Sequence, residues 1–166
     1  MVLKTAKEAE GGGNAGEGLF ARLKAGVGIK RVDSALAKGD WEKAVQVAAH
    51  SRSREILARV SEAAVEAKRW DVLGHLAGRA DRHWGGAEDF VCAYFARAEV
   101  GDVDAAAKKG EWDTVLNVGL YGGGEAAVRA VDAARDGNKG YIVHVVGARG
   151  KSAAAVAYAL RHEGGA

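Results

Sequence analysis

The sequence has no proline, one cysteine and one methionine, and aromatic residues make up only 7% of its 166 positions. Each scarcity excludes something. Without proline, turns lose their commonest rigid marker, so glycine must do the punctuating. With Cys92 alone, no disulfide closes within the chain and no cysteine-rich zinc site forms. Cys92 lies in the apolar stretch 90–95, the setting of a small buried hydrophobe. No apolar run nears the ~18 residues needed to cross a bilayer. Residues 1–10 are polar and charged, unlike a secretory leader, so a cytoplasmic protein without a membrane partner is expected. The net charge of +2 is too small to name a nucleic-acid partner by itself.

What the chain does contain is alanine, often in runs such as Ala105-Ala106-Ala107 and Ala153-Ala154-Ala155, and 24 glycines. Alanine has the highest helix propensity and gives up no side-chain entropy on folding. Apolar residues form 48% of the chain, enough for a core. This composition predicts helices divided by glycine breaks.

The helices recur. Sliding the chain on itself by 71 residues aligns it from Glu17 to about Lys151 without a gap. Val32-Asp33-Ser34-Ala35-Leu36-Ala37-Lys38-Gly39-Asp40-Trp41-Glu42 falls on Val103-Asp104-Ala105-Ala106-Ala107-Lys108-Lys109-Gly110-Glu111-Trp112-Asp113. Downstream, Val47 falls on Val118, Leu57 on Val128, Val60 on Val131, Lys68 on Lys139 and Trp70 on Tyr141. A weaker echo lies inside the unit, because Lys68-Arg69-Trp70-Asp71 follows Gly39-Asp40-Trp41-Glu42 at an interval of 29. The next interval, Trp70 to Trp112, is 42. Each unit therefore reads as two helical hairpins, one short and one long.

Local signals place the helices. Leu19, Leu23 and Val27 recur at steps of four, and Gly26 and Gly28 are expected to interrupt that helix. Gly39 suits the left-handed residue past a helix end, and Asp40 can cap the next helix. Gly137-Asn138 ends a helix of the second unit. Residues 141–146 form a β-branched run that could make a strand. The repeat register lays them on the helix at 70–80, which predicts helix instead. A last helix over 151–161 is expected to cover the end of the stack. The expected core holds Leu19, Leu23, Val32, Leu36, Trp41, Val45, Leu57, Val60, Leu73, Phe90, Phe95, Trp112, Leu116, Val128 and Val131.

Lys38-Gly39-Asp40-Trp41-Glu42-Lys43-Ala44 resembles the middle of a tetratricopeptide repeat. In that family a glycine and an acidic residue turn between two helices, an aromatic opens the second, and a small alanine allows close approach. Gly39, Trp41 and Ala44 match those places. Gly110 and Trp112 match in the second unit, where Val115 replaces the alanine. The intervals of 29 and 42 depart from the regular ~34 of that family, and its closing proline is absent. The resemblance implies an irregular α-helical solenoid acting as a scaffold that holds a protein or peptide.

Catalytic and metal chemistry is sparse. Gly147-Ala148-Arg149-Gly150-Lys151-Ser152 resembles a phosphate-binding loop, but the leading glycine would fall at Val145, so a capped helix start is the better reading. The five histidines, at 50, 75, 83, 144 and 162, have no second histidine or cysteine at a helical step. Glu62 and Glu66 sit one turn apart as a solvated face. No enzyme activity, catalytic set, metal or cofactor is expected.

Charge is more informative. Residues 17–87 carry 13 basic and 9 acidic residues, net +4, and residues 88–158 carry 8 and 10, net −2. Arg52, Arg54 and Arg59 cluster at one inter-hairpin link, and Arg79, Arg82, His83 and Trp84 at the junction between units. These seven are the candidate partner-binding residues. The expected organisation is a flexible segment 1–16, helical unit 17–87, helical unit 88–150, and a capping helix and tail 151–166. The fold class is all-α, a superhelix of about four stacked hairpins from a tandem ~71-residue duplication. Its expected role is a protein–protein interaction or self-assembly module. Two alternatives stand beside it: head-to-tail oligomers using the opposite charges of the halves, and a nucleic-acid-binding repeat using the arginines of the first unit.

Overall fold

A computed structural model describes residues 13–163, and its described residues form ten α-helices and no strand. They are α1 (Gly13–Ala37), α2 (Trp41–Ser51), α3 (Arg54–Glu66), α4 (Trp70–His83), α5 (Ala87–Cys92), α6 (Val100–Lys109), α7 (Trp112–Tyr121), α8 (Gly124–Asp136), α9 (Gly140–Arg149) and α10 (Ala153–His162). A 3-10 segment, Ala93–Arg97, joins α5 towards α6. Residues 1–12 of the expected flexible segment lie outside the described residues, and Gly13 already begins α1.

Four turns share one geometry. A left-handed residue ends the helix, at Gly39 (φ 69°), Lys68 (φ 55°), Gly110 (φ 77°) and Asn138 (φ 56°). The amide of the next residue then reaches back five places. Asp40 N–H donates to Ala35 (2.9 Å), Arg69 to Ala64 (2.8 Å), Glu111 to Ala106 (2.9 Å) and Lys139 to Ala134 (2.7 Å). These bonds satisfy carbonyls that the helix end leaves open. In the first turn the Asp40 carboxylate also accepts from the Lys43 amide at 3.1 Å. The left-handed residues are 29, 42 and 28 places apart. The long middle interval holds α5 and the 3-10 segment, which accounts for the irregular spacing. Helices α7, α8 and α9 begin at Trp112, Gly124 and Gly140, which lie 71, 70 and 70 residues after Trp41, Arg54 and Trp70.

The helices pack in two layers. One holds α2, α4, α7 and α9, each against the next. The other holds α1 against α3, and α6, α8 and α10 in succession. The 3-10 segment touches both α3 and α7, tying the two halves together. Of the 35 buried apolar residues described, 17 are alanine, so the helices approach closely on small side chains. The larger buried groups include Val32, Val45, Leu57, Val60, Leu73, Phe95 and Val131, as expected from the sequence. Leu36, Trp41, Phe90, Trp112, Leu116 and Val128 are half-buried against them.

Two expectations are corrected. Leu19 and Leu23 are exposed rather than core. Their helix also does not stop at Gly26 or Gly28 but runs through to Ala37. Glycine costs about 1 kcal/mol inside a helix and does not by itself end one. Gly28 serves contact instead, because a Cβ there would meet Ile56 Cδ1 at 2.5 Å. The break occurs in the second unit, at Ala98 (ψ 135°) and Glu99 (ψ 160°), 71 residues beyond Val27 and Gly28. Residues 141–146 are helical within α9.

Candidate interaction surface

The structure brings together some of the seven candidate residues and separates others. Arg52 ends α2 in the left-handed region (φ 50°), and Arg54 opens α3. The Arg54 guanidinium lies 5.8 Å from the ring centres of both Trp84 and Phe90. His83 stacks on His50 at 4.0 Å between centroids. Arg52, Arg54, His83 and Trp84 therefore line one edge, where α2 and α4 end. Arg82 is exposed on the last turn of α4.

Arg59 and Arg79 are engaged elsewhere. Arg59 grips Asp33 of α1 at 2.5 and 2.8 Å. Arg129 holds Asp104 at 2.6 Å in the second unit, 70 and 71 residues later. Arg59 is thus a repeated tie between adjacent outer helices, offset by one residue from the strict register. The Arg59 guanidinium holds the Asp33 carboxyl below its usual range, because it donates hydrogen bonds to the ionised form. Arg79 pairs with Glu42 at 2.8 Å. Glu62 is likewise taken up, bound bidentately by Arg97 at 2.6 and 3.1 Å.

The sites that resembled chemistry are structural. Ser152 caps α10 by accepting from the Ala155 amide at 3.3 Å, and the Lys151 amide donates to the Leu120 carbonyl at 2.8 Å. Burial pushes the Cys92 thiol up to about 12, with the Glu88 charge adding to it. Among the described residues, no three histidine, cysteine or carboxylate side chains gather as a metal site. No described helix is long and apolar enough to cross a membrane.

Two grooves stand out. The first, about 540 Å³, crosses the layer of α2, α4 and α7, lined among others by Trp41, Arg69, Asp71, His75, Asp113 and Asn117. Arg69 lies 5.6 Å over the Trp41 ring and donates to both oxygens of Asp71, at 2.9 and 2.8 Å. That guanidinium holds the Asp71 carboxyl below its ordinary value. Gly74 lets α7 approach, since a Cβ there would stand 2.1 Å from Asn117 Oδ1. The groove thus carries a fixed aromatic, a fixed ion pair, the His75 ring and the Asn117 side chain, whose amide donates to the Asp113 carbonyl at 2.8 Å. The second groove, about 930 Å³, runs between α1 and the α2–α3 turn. Phe20, Leu23, Val27 and Ile56 make its apolar lining, and Lys24, Arg31, His50 and Arg52 its basic rim.

Sequence reasoning found the Arg52 edge and missed both grooves. Arg69 and Asn117 are single polar residues on helices with no motif around them. The repeat register carried a usable signal, since Trp112 is covered by Lys139 at 5.5 Å much as Trp41 is covered by Arg69. No family model, curated protein or solved structure matches this chain.

Proposed function

We propose that the chain is a non-enzymatic, tetratricopeptide-like interaction module of the cytoplasm that holds a protein or peptide on its helical layers. One observation carries this reading: the α2–α4–α7 layer leaves open a groove with a fixed aromatic at Trp41, a fixed ion pair at Arg69 and Asp71, and polar side chains at His75 and Asn117. Extended polypeptide is recognised by such surfaces because backbone and side-chain groups find partners along the groove while an aromatic takes an apolar anchor. Matching turns at Gly39-Asp40-Trp41 and Gly110-Glu111-Trp112 support a repeated scaffold.

The nucleic-acid reading has less support. Two of its five arginines, Arg59 and Arg79, spend their charge on Asp33 and Glu42. Arg54 faces two aromatic rings.

The test is a photo-crosslinking amino acid placed in living source cells at Asn117, at His75, and at Lys108 on α6 as control. Specific adducts to one protein from positions 117 and 75, absent from 108, are expected. No adduct at either groove position, or equal labelling at all three, would sink the reading.

A further inference from the structure

We propose that the groove between α1 and the α2–α3 turn receives an acidic amphipathic helix of a partner protein. This rests on the reading of the chain as an interaction module, and it names a second face and the chemistry of its occupant. The starting observation is apolar surface in water. Leu19, Phe20, Leu23 and Val27 are 60%, 66%, 60% and 52% exposed. They form a stripe along α1 that continues into the groove floor at Gly28, Val47 and Ile56.

The molecule contains its own template for what covers such a stripe. Seventy-one residues on, the equivalent positions are Phe90, Val91, Tyr94 and Ala98. Val91 and Ala98 are buried, and Phe90 and Tyr94 are half-buried on the core. The cover there is helical, from α3 and α4. Two ion pairs lock that internal junction, Arg97 with Glu62 at 2.6 Å and Lys68 with Asp102 at 3.2 Å.

Charge then selects the occupant. Among the described residues, Arg22, Lys24, Arg31 and Arg52 line the free groove and no carboxylate does. Arg31 stands at the repeat position of Asp102, so the charge met by Lys68 inside the molecule is inverted at the free end. A helix seated there must bring a carboxylate where the turn after α3 brings Lys68. A second copy is the poorer occupant. Its matching edge would bring Asn138, the left-handed counterpart of Lys68, against Arg31, with Lys139 beside it. That edge is also already covered by α10, which packs on α8 and α9. A lipid surface could reach the stripe of α1 but not the recessed floor at Ile56, which is buried.

The experiment is fluorescence anisotropy with two labelled synthetic amphipathic helices of about 18 residues. They share one Leu/Phe face and differ in a Glu or a Lys polar face. The Glu-faced helix should bind at least about tenfold more tightly, with a Kd near ~10⁻⁵ M, and weaken as salt rises. Arg31→Glu with Arg52→Glu should reverse the preference. Leu23→Asp should abolish binding and leave the melting temperature unchanged, because Leu23 is exposed. Four outcomes would overturn the proposal: equal or absent binding of the two helices, a dimer in light scattering that Leu23→Asp dissolves, co-sedimentation with phosphatidylserine vesicles without helix binding, or binding that appears only after residues 1–12 are removed. Crosslinks from Asn117 should persist in Leu23→Asp, so this proposal can fail while the α2–α4–α7 groove stands. Loss of both sinks the parent reading.

Discussion

Trp70 offers a sharp test of what joins the two halves. It opens α4, is 1% exposed, and its ring lies 5.8 Å from Phe95 of the 3-10 segment. Phe95 in turn lies 5.3 Å from Tyr121 of α7. Among the described residues, the Trp70 indole nitrogen has no hydrogen-bond acceptor. Two terms therefore oppose each other in Trp70→Phe. The lost ring area, roughly 40 Å², costs about 1 kcal/mol. Removing an unsatisfied buried donor returns about 1–3 kcal/mol. The small void left behind offsets part of that gain, so the net change should fall within about 1 kcal/mol of zero. Trp70→Ala keeps only the losses and should cost about 3–5 kcal/mol. The control is Tyr141, an aromatic in the first turn of α9, which is 51% exposed. Tyr141→Ala should cost under about 1 kcal/mol. Urea unfolding, followed by circular dichroism so that loss of a tryptophan does not remove the signal, measures all three through the midpoint at constant slope. A cost above about 2 kcal/mol for Trp70→Phe would refute the reasoning, since the indole must then have a partner such as a buried water. Equal costs for Trp70→Ala and Tyr141→Ala would refute the claim that the junction buries Trp70.

Acid should unfold the chain in a way that two carboxyls report. Asp71 is held low by Arg69, and Asp132 by the Tyr158 hydroxyl and by Arg135 and Arg129. Lowered folded values mean that the unfolded chain binds more protons in this range, so the stabilisation is complete above 3.8 and is lost as pH falls through the folded values. Asp71→Asn should flatten the acid limb of a melting-temperature titration, and an unchanged limb would count against the pairing. Cys92, with its thiol near 12, should alkylate about 1000-fold more slowly than an ordinary thiol at pH near 8; reaction at the free-thiol rate would show an open site. Gly74→Ala should push Asn117 aside and break its 2.8 Å bond to the Asp113 carbonyl. Paired with Asn117→Ala, the same change should recover the loss and add up to about 1 kcal/mol of helix propensity, a non-additivity that a double-mutant cycle reads directly.

The parts of the fold legible in the sequence were those governed by local chemistry. Gly39-Asp40-Trp41 and Gly110-Glu111-Trp112 announced turns because a left-handed residue and an N-terminal carboxylate are local needs. The interval of 29 was readable for the same reason, even though Lys68 takes the left-handed place without being glycine. The helix at 141–146 was recovered only through register, since its β-branched run favours strand when taken alone. What stayed hidden depends on distant surfaces. Whether Leu19 and Leu23 are core turns on whether another helix pair lies beside them, and none of the described helices does. Trp70 and Tyr141, which the 71-residue register aligns, differ in burial because these helices repeat at 70, so that Gly140 and not Tyr141 opens α9 as Trp70 opens α4. Of the candidate site, the Arg52–Arg54–Trp84 edge was legible as a charge cluster. The capture of Arg59 by Asp33 was not, because the pair spans 26 positions. Its counterpart, Arg129 with Asp104, is shifted by one residue from the strict alignment, enough to hide the repetition.

The first and last described helices leave surfaces of different character. A repeat array exposes at each end the surface its interior uses for stacking, and identical ends would continue to add copies. Here the last described helices keep the interior pattern. Leu73 is fully buried, its counterpart Val143, 70 residues on, is buried too, and α10 packs on α8 and α9. The first described helix departs from it. It keeps the apolar stripe and changes only the charge, with Arg31 where the interior has Asp102. The described stack thus covers one end with its own last helix and leaves at the other an apolar stripe with a basic rim, an asymmetry that suits an acidic occupant.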